Sequence, residues 1–256
     1  MKGEFSFACF MLFFFLFYKS LFSREVSMQI FGHRGACGYE VENSLSSFKK
    51  AIELGVDGIE LDVYKCKSGE LVVIHDDKID RVTNGKGYVS DFTLDELKNF
   101  NLKNGEKIPT LNEVLDLINK RVVVDIELKG DGTGILVANL IKKYVQEKGW
   151  SYDNFLVTSF NQYELLNFSK QCGGVKIGAI ISGIPIGYAQ FAKDMNADFV
   201  VLSKSFINKN FIDDAHKKGL LVFVYTINDA SDFEKIKNLN VDAIFSDYPD
   251  LNFVSF

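Results

Sequence analysis

From Met28 almost to the end of the chain, short apolar runs of strand length alternate with segments whose apolar residues recur every three or four positions. A chain patterned this way buries both faces of its strands under crossover helices, which is the signature of a parallel α/β fold. The runs Met28 to His33, Gly58 to Val63, Arg121 to Leu128, Asn154 to Ser159, Val175 to Ile181, Asp198 to Leu202, Leu220 to Ile227 and Ala243 to Ser246 predict eight strands. Helical spacing marks 44–54, 111–119, 134–147, 162–170, 188–195, 209–218 and 231–239 between them. Eight strands with interleaved helices predict a (β/α)8 TIM barrel, which at about 250 residues would use the 256-residue chain once. The alternative is a doubly wound open sheet. Its dinucleotide loop is missing, because Gly32, Gly35 and Gly38 do not form GxGxxG.

One region interrupts the alternation. Val63 and Val72 are too close for a crossover helix, so the chain must turn back there as a hairpin. A two-residue turn at Ser68-Gly69 would set Tyr64 opposite Val73 and Asp62 opposite His75. The polar stretch that follows, about 77–107, carries Asn84-Gly85 and Lys86-Gly87 turn signals and one helical pattern at 94–100. It is expected to form a small insertion capping the C-terminal face of the barrel.

Residues 1–27 differ from the rest. Phe5 to Tyr18 is uncharged and nearly all apolar, which is short for a spanning helix of about 20 residues and closer to a signal-peptide core. Extension through Ser23 would make an anchor and so a membrane association through 5–23. No small-x-small cleavage site follows, and Met28 would serve as a start. The segment is thus a signal, an anchor or an extension ahead of the true start. The location follows that choice: cytoplasmic from Met28, membrane-anchored or exported otherwise. The four cysteines, at 9, 37, 66 and 172, lack metal-ligand spacing and are expected to be free thiols. With 29 basic against 34 acidic residues and no basic run longer than two, a nucleic-acid partner is excluded and a small-molecule or membrane-derived one favoured.

Two of the three histidines, His33 and His75, end apolar runs, where barrels carry their catalytic groups. The third, His216, sits in a Lys-rich helix end and reads as a solvated or capping residue. Carboxylates also recur inside strands, where they are disfavoured. Glu60 and Asp62 share one face by period two, and Glu127 ends its strand, so three acids would converge at the barrel mouth. Buried like charges call for a divalent cation, and all-oxygen ligation favours Mg²⁺ or Ca²⁺. Neutralisation by the neighbouring Arg34 and Lys129 is the competing explanation. Asp125 has the parity of Glu127 and is expected one layer deeper, in a salt bridge or hydrogen bond.

The segments His33-Arg34-Gly35, Glu42-Asn43-Ser44, Glu60-Leu61-Asp62-Val63, Val73-Ile74-His75-Asp76-Asp77, Ile108-Pro109-Thr110-Leu111, Ile126-Glu127-Leu128-Lys129 and Ser246-Asp247-Tyr248-Pro249 together resemble, in order and spacing, the glycerophosphodiester phosphodiesterase family from about Met28 to Leu251. The resemblance implies a TIM barrel with a small insertion after the second-strand hairpin and metal-dependent hydrolysis of glycerophosphodiesters to glycerol 3-phosphate and an alcohol. It implies His33 and His75 as the acid/base pair, Glu60, Asp62 and Glu127 as ligands of one Mg²⁺ or Ca²⁺, Arg34 and Lys129 on the phosphate, and Glu42 and Asn43 supporting them. Tyr225 stands where the family commonly has tryptophan and is expected to wall the glycerol or headgroup. Ser44 replaces the family's threonine and keeps a hydroxyl helix cap. Lysophospholipase D or phospholipase C-like action on lipids is the alternative within this chemistry, and a non-catalytic phosphate- or headgroup-binding barrel the alternative outside it. The oligomeric state is open.

Overall fold

The structure, a computed structural model, describes residues 28–250. The segment at 5–23 and the expectations attached to it, and Cys9, lie outside those residues. In chain order the elements are β1 (Gln29–Gly32), α1 (Leu45–Glu53), β2 (Gly58–Lys65), β3 (Leu71–Val73), α2 (Leu94–Leu97), α3 (Leu111–Ile118), β4 (Val123–Leu128), α4 (Thr133–Glu147), β5 (Phe155–Ser159), α5 (Gln162–Gln171), β6 (Lys176–Ile181), α6 (Gln190–Asp194), β7 (Phe199–Ser203), α7 (Lys209–Lys217), β8 (Leu221–Tyr225), α8 (Ala230–Ile236) and β9 (Ala243–Ser246).

Every neighbouring pair from β1 through β9, β8, β7, β6, β5 and β4 to β2 is parallel, and a β1–β2 pairing closes the ring. The molecule is therefore a (β/α)8 TIM barrel with β3 added antiparallel to the upper part of β2. Strand parity sorts its two cores. Ile59, Leu61, Val124, Ile126, Val157, Val200, Val222 and Ile244 face outward and pack on the helices. Phe31, Leu156, Ile180, Phe199, Val201, Phe223 and Phe245 fill the interior. Phe199 stacks on Phe223 at 4.5 Å, and Phe31 meets Phe223 at 5.7 Å and Phe245 at 5.5 Å. Room for these rings comes from Gly58 and Gly178, where a Cβ would lie 2.2 Å from Phe31 and 2.1 Å from Phe199. Burying each ring stabilises the fold by roughly 1.5–3 kcal/mol. The lower barrel is thus dry, and the polar interior residues collect above it.

The hairpin register differs by one residue from the sequence expectation. Val63 pairs with Val73 and Tyr64 with Val72, so Ile74, not His75, lies beside Asp62. The cause is a three-residue loop: Cys66 N–H donates to the Glu70 carbonyl at 3.0 Å, and Gly69 takes the left-handed φ of +102° that closes it. Residues 77–107 gather around a separate cluster that includes Val72, Ile74, Ile79, Val82 and Leu97. They pack beside the β2–β3 hairpin, and none of them lines the mouth cavity. Cys37, Cys66 and Cys172 are free thiols.

Candidate active site

The β2–β4 register decides the electrostatics of the mouth. It sets Glu60 beside Asp125 and, two residues further along, Asp62 beside Glu127, all pointing inward. All four side chains are buried. Carboxylate oxygens of Glu60, Asp62 and Glu127 lie within 4.8 Å of one another. Asp125 sits deeper, as its parity predicted, and accepts a hydrogen bond from Thr158 Oγ1 at 3.0 Å. Burial, reinforced by Asp62 and Glu127, pushes the Glu60 carboxyl well above the usual carboxylate range. Burial and Asp62 likewise raise Glu127 to about 7, and burial raises Asp125 to about 8.

Two cations face these four acids. The Arg34 Nε lies 3.5 Å from Asp62 Oδ2, and Lys129 Nζ lies 2.9 Å from Glu127 Oε1 and 3.8 Å from Asp62 Oδ1. Burial alone would lower the Lys129 pKa, but Glu127 and Asp62 more than offset it and hold the ammonium charged. Arg34 is shared with Glu42, which accepts from its Nη1 at 2.9 Å. Neutralisation is therefore incomplete. One buried oxygen each of Glu60 (Oε1), Asp62 (Oδ1) and Asp125 (Oδ2) has no hydrogen bond, and Glu127 Oε1 is paired with the Lys129 ammonium at 2.9 Å. Buried carboxylate oxygens left this short of donors are costly, and the converging oxygens of Glu60, Asp62 and Glu127 fit a hard divalent cation.

The second oxygens of Glu60 and Asp62 are held from behind. Arg34 N–H donates to Glu60 Oε2 at 2.8 Å, from a left-handed backbone with φ 52°. Asn43 grips Asp62 twice, its Nδ2 donating to Oδ2 at 2.8 Å and its Oδ1 accepting from the Asp62 N–H at 3.3 Å. Ser44 caps α1 through the Ser47 N–H, which fixes the turn that carries both Glu42 and Asn43.

Both histidines stand just past strand ends and are anchored alike. His33 Nδ1 lies 2.6 Å from Asp247 Oδ1, and His75 Nδ1 lies 2.7 Å from Asp76 Oδ1. Each carboxylate accepts from the Nδ1–H and turns Nε2 away from itself. Lys129 Nζ, 3.3 Å from His75 Nε2, makes that nitrogen an acceptor. Asp247 also accepts from Cys37 Sγ at 3.0 Å and from Asn228 Nδ2 at 2.6 Å. Burial pushes Asp247 up, but the bonds from His33, Cys37 and Asn228 outweigh it and hold the carboxyl at about 2. His216 is elsewhere, paired with Asp242 at 2.9 Å, and takes no part.

His33, Arg34, Glu60, His75, Glu127 and Lys129 line a cavity of about 240 Å³ whose remaining wall includes the apolar Ile180, Val201 and Phe245. Tyr225 stands at its edge, edge-on to Phe160 at 6.2 Å. All ten residues to which the resemblance assigns a place in the site thus meet at one mouth or directly behind it. Asp247, Asn228 and Phe160 carried no role in the sequence reading. Asp76 and Asp247 lie within quoted motifs, and the position of Asp76 beside His75 and of Asp247 just past the last strand was the signal available.

Residues 33–251 match the glycerophosphoryl diester phosphodiesterase family model. A glycerophosphodiester phosphodiesterase of Caldanaerobacter subterraneus subsp. tengcongensis is 36% identical over 233 residues, covering 86% of this chain and 94% of that protein. One from Bacillus altitudinis is 32% identical over 238 residues, covering 87% and 95%. Among solved structures, an Oleispira antarctica phosphodiesterase in complex with the product sn-glycerol-3-phosphate is similar with a TM-score of 0.79 at 29% identity, covering 87% of this chain and 94% of that one.

Proposed function

The chain belongs to the glycerophosphoryl diester phosphodiesterase family and is a glycerophosphodiester phosphodiesterase, a phosphoric diester hydrolase; on that premise we propose that it releases sn-glycerol 3-phosphate and an alcohol from water-soluble diesters, with His33 and His75 moving the protons and Glu60, Asp62 and Glu127 holding one Mg²⁺ or Ca²⁺. The observation that carries this reading is the convergence at one mouth of three buried carboxylates, with oxygens within 4.8 Å of one another, and two imidazoles anchored through Nδ1. The catalytic unit is the barrel from residue 28 onward with its 77–107 insertion.

When bound, the cation supplies positive charge that offsets the phosphoryl oxygens as their charge grows. Arg34 and Lys129 add two more positive groups at the same mouth, and both are held in place by the acids they face. His75, neutral with Nε2 set to accept, takes the proton of the attacking hydroxyl, which we assign to the glycerol 2-hydroxyl of the substrate. His33 gives a proton from Nε2 to the departing alkoxide, and the Asp247 carboxylate stabilises the ring while it carries charge. A cyclic phosphate forms and is opened by water with the roles reversed. Tyr225 and Phe160 wall the glycerol or the headgroup.

The test is His33→Ala and His75→Ala. Each is expected to lower kcat by about 10²–10⁴-fold or more while Mg²⁺ binding, read by calorimetry, persists. Loss of metal binding in either variant would contradict the assignment, as would the lack of any cyclic species in quenched turnover together with full activity on a 2-deoxy substrate. A lysophospholipase D reading has one observation in its favour: Phe160, Tyr163, Ile184 and Ile186 are 47, 80, 53 and 106% exposed on the segments after β5 and β6. Faster choline release from lysophosphatidylcholine than from glycerophosphocholine would select it.

A further inference from the structure

The 77–107 insertion adds no residue to the cavity wall, yet one of its side chains reaches the layer behind it. Arg81 Nε donates to Asp76 Oδ2 at 2.6 Å, its Nη2 donates to Glu42 Oε1 at 2.8 Å, and its Nη1 donates to Glu42 Oε2. The same two acids grip the site. The other oxygen of Asp76 meets His75 Nδ1 at 2.7 Å, and Glu42 Oε1 also accepts from Arg34 Nη1 at 2.9 Å. We infer that Arg81 is a positioning residue for the diesterase site, its guanidinium fork fixing Arg34 through Glu42 and His75 through Asp76. This rests on the roles given above to Arg34 and His75.

The argument is one of shared acceptors. With Arg81 on both Glu42 oxygens, Arg34 gets a single bond to that carboxylate, and its buried Nε stays without a hydrogen bond, 3.5 Å from Asp62 Oδ2. Without Arg81, Glu42 is free to take Arg34 in a two-bond fork and draw it away from the mouth. Asp76, whose side chain is 31% exposed, then turns to water, and the His75 ring loses the partner that sets its tautomer. An exposed ion pair is ordinarily worth little. This one differs because three N–H groups of one planar cation meet two acids that are themselves tied to functional groups. The fork is also preorganised: buried Ile79 and Val82 flank Arg81 on either side, and Thr83 Oγ1 donates to the Ile79 carbonyl at 2.8 Å. Lysine has a point charge and no fork, so it can serve one acid but not both at once.

The experiment compares full-length wild type with Arg81→Ala and Arg81→Lys on glycerophosphocholine at saturating Mg²⁺, together with ¹⁵N spectra of the imidazoles. The chain has three histidines, so those spectra hold few signals. For Arg81→Ala we expect kcat/KM to fall roughly 10- to 100-fold, with KM raised and kcat lowered, and Mg²⁺ affinity unchanged. Arg81→Lys is expected to recover part of the loss. The His75 signals should lose the fixed Nδ1–H pattern while those of His33 keep it. Wild-type kcat and KM in Arg81→Ala, or an unaltered His75 pattern in it, would overturn the inference. Should Arg81→Ala not fold, Arg81→Gln takes its place with the same criteria. A wild type inactive on the diester would sink the proposed function, and the His75 pattern would still decide the role of Arg81.

Discussion

A carboxylate inside a strand asks for a reason, and Glu60, Asp62 and Glu127 have a common one. Each is buried, Glu60 and Asp62 each leave one oxygen without a hydrogen bond, and Glu127 Oε1 is paired with the Lys129 ammonium. Asp62 is central, lying on the rung of Glu127 and facing both Arg34 and Lys129. Asp62→Asn keeps the shape and removes the charge. Its Mg²⁺ affinity is expected to fall by more than the roughly 10- to 100-fold that loss of an outer partner costs. Calorimetric titration of the variant checks this, and wild-type affinity would show that Asp62 is no ligand. These acids were legible in the sequence because period two in a strand is unambiguous. Arg81 was not legible, since its partner Glu42 lies 39 residues away, and the His33 partner Asp247 lies 214 away. Chain separation of that size leaves no local trace.

At the level of elements, the parallel strands were legible almost to the residue, and all eight appear where apolar runs predicted them. The hairpin register was not. A Ser-Gly pair looks like a two-residue turn, but Glu70 Oε2 accepts from Ser68 Oγ and from Cys66 Sγ, which ties the three-residue loop together. That shift sends the backbone of Ile74, not His75, to the Asp62 carbonyl and leaves His75 past the strand, where its ring can reach Asp76 and Lys129. The helix α3 offers a test of the local physics. Its N-terminus is a full capping box, with Thr110 accepting from the Glu113 N–H and Glu113 accepting from the Thr110 N–H. Thr110→Ala is expected to cost about 1 kcal/mol in urea denaturation, and a cost near zero would mean the box contributes nothing to the folded state.

Across the whole molecule, the barrel divides into a dry aromatic floor and an acidic mouth, and the mouth is where stability gives way to function. Glu127 is raised to about 7 and Glu60 well above its usual range, chiefly by burial. A carboxyl that holds its proton more tightly folded than unfolded loses stability as pH rises from the unfolded value, about 4.3, through the folded one. The metal-free protein should therefore melt lower at pH 8 than at pH 5.5. Mg²⁺ at about 100 times its Kd should restore about 2.7 kcal/mol, roughly 5–10 °C in Tm. Thermal melts with chelator or Mg²⁺ at both values test this, and identical melts in all four conditions would contradict it.

The most direct measurement of the central claim is release of sn-glycerol 3-phosphate from glycerophosphocholine by the full chain, with Mg²⁺ or Ca²⁺ and then with excess EDTA. Release that stops on chelation and resumes when the cation is restored is the predicted result. Release that continues unchanged in EDTA, or no release with either cation, would contradict the assignment of Glu60, Asp62 and Glu127 to a metal-dependent diesterase.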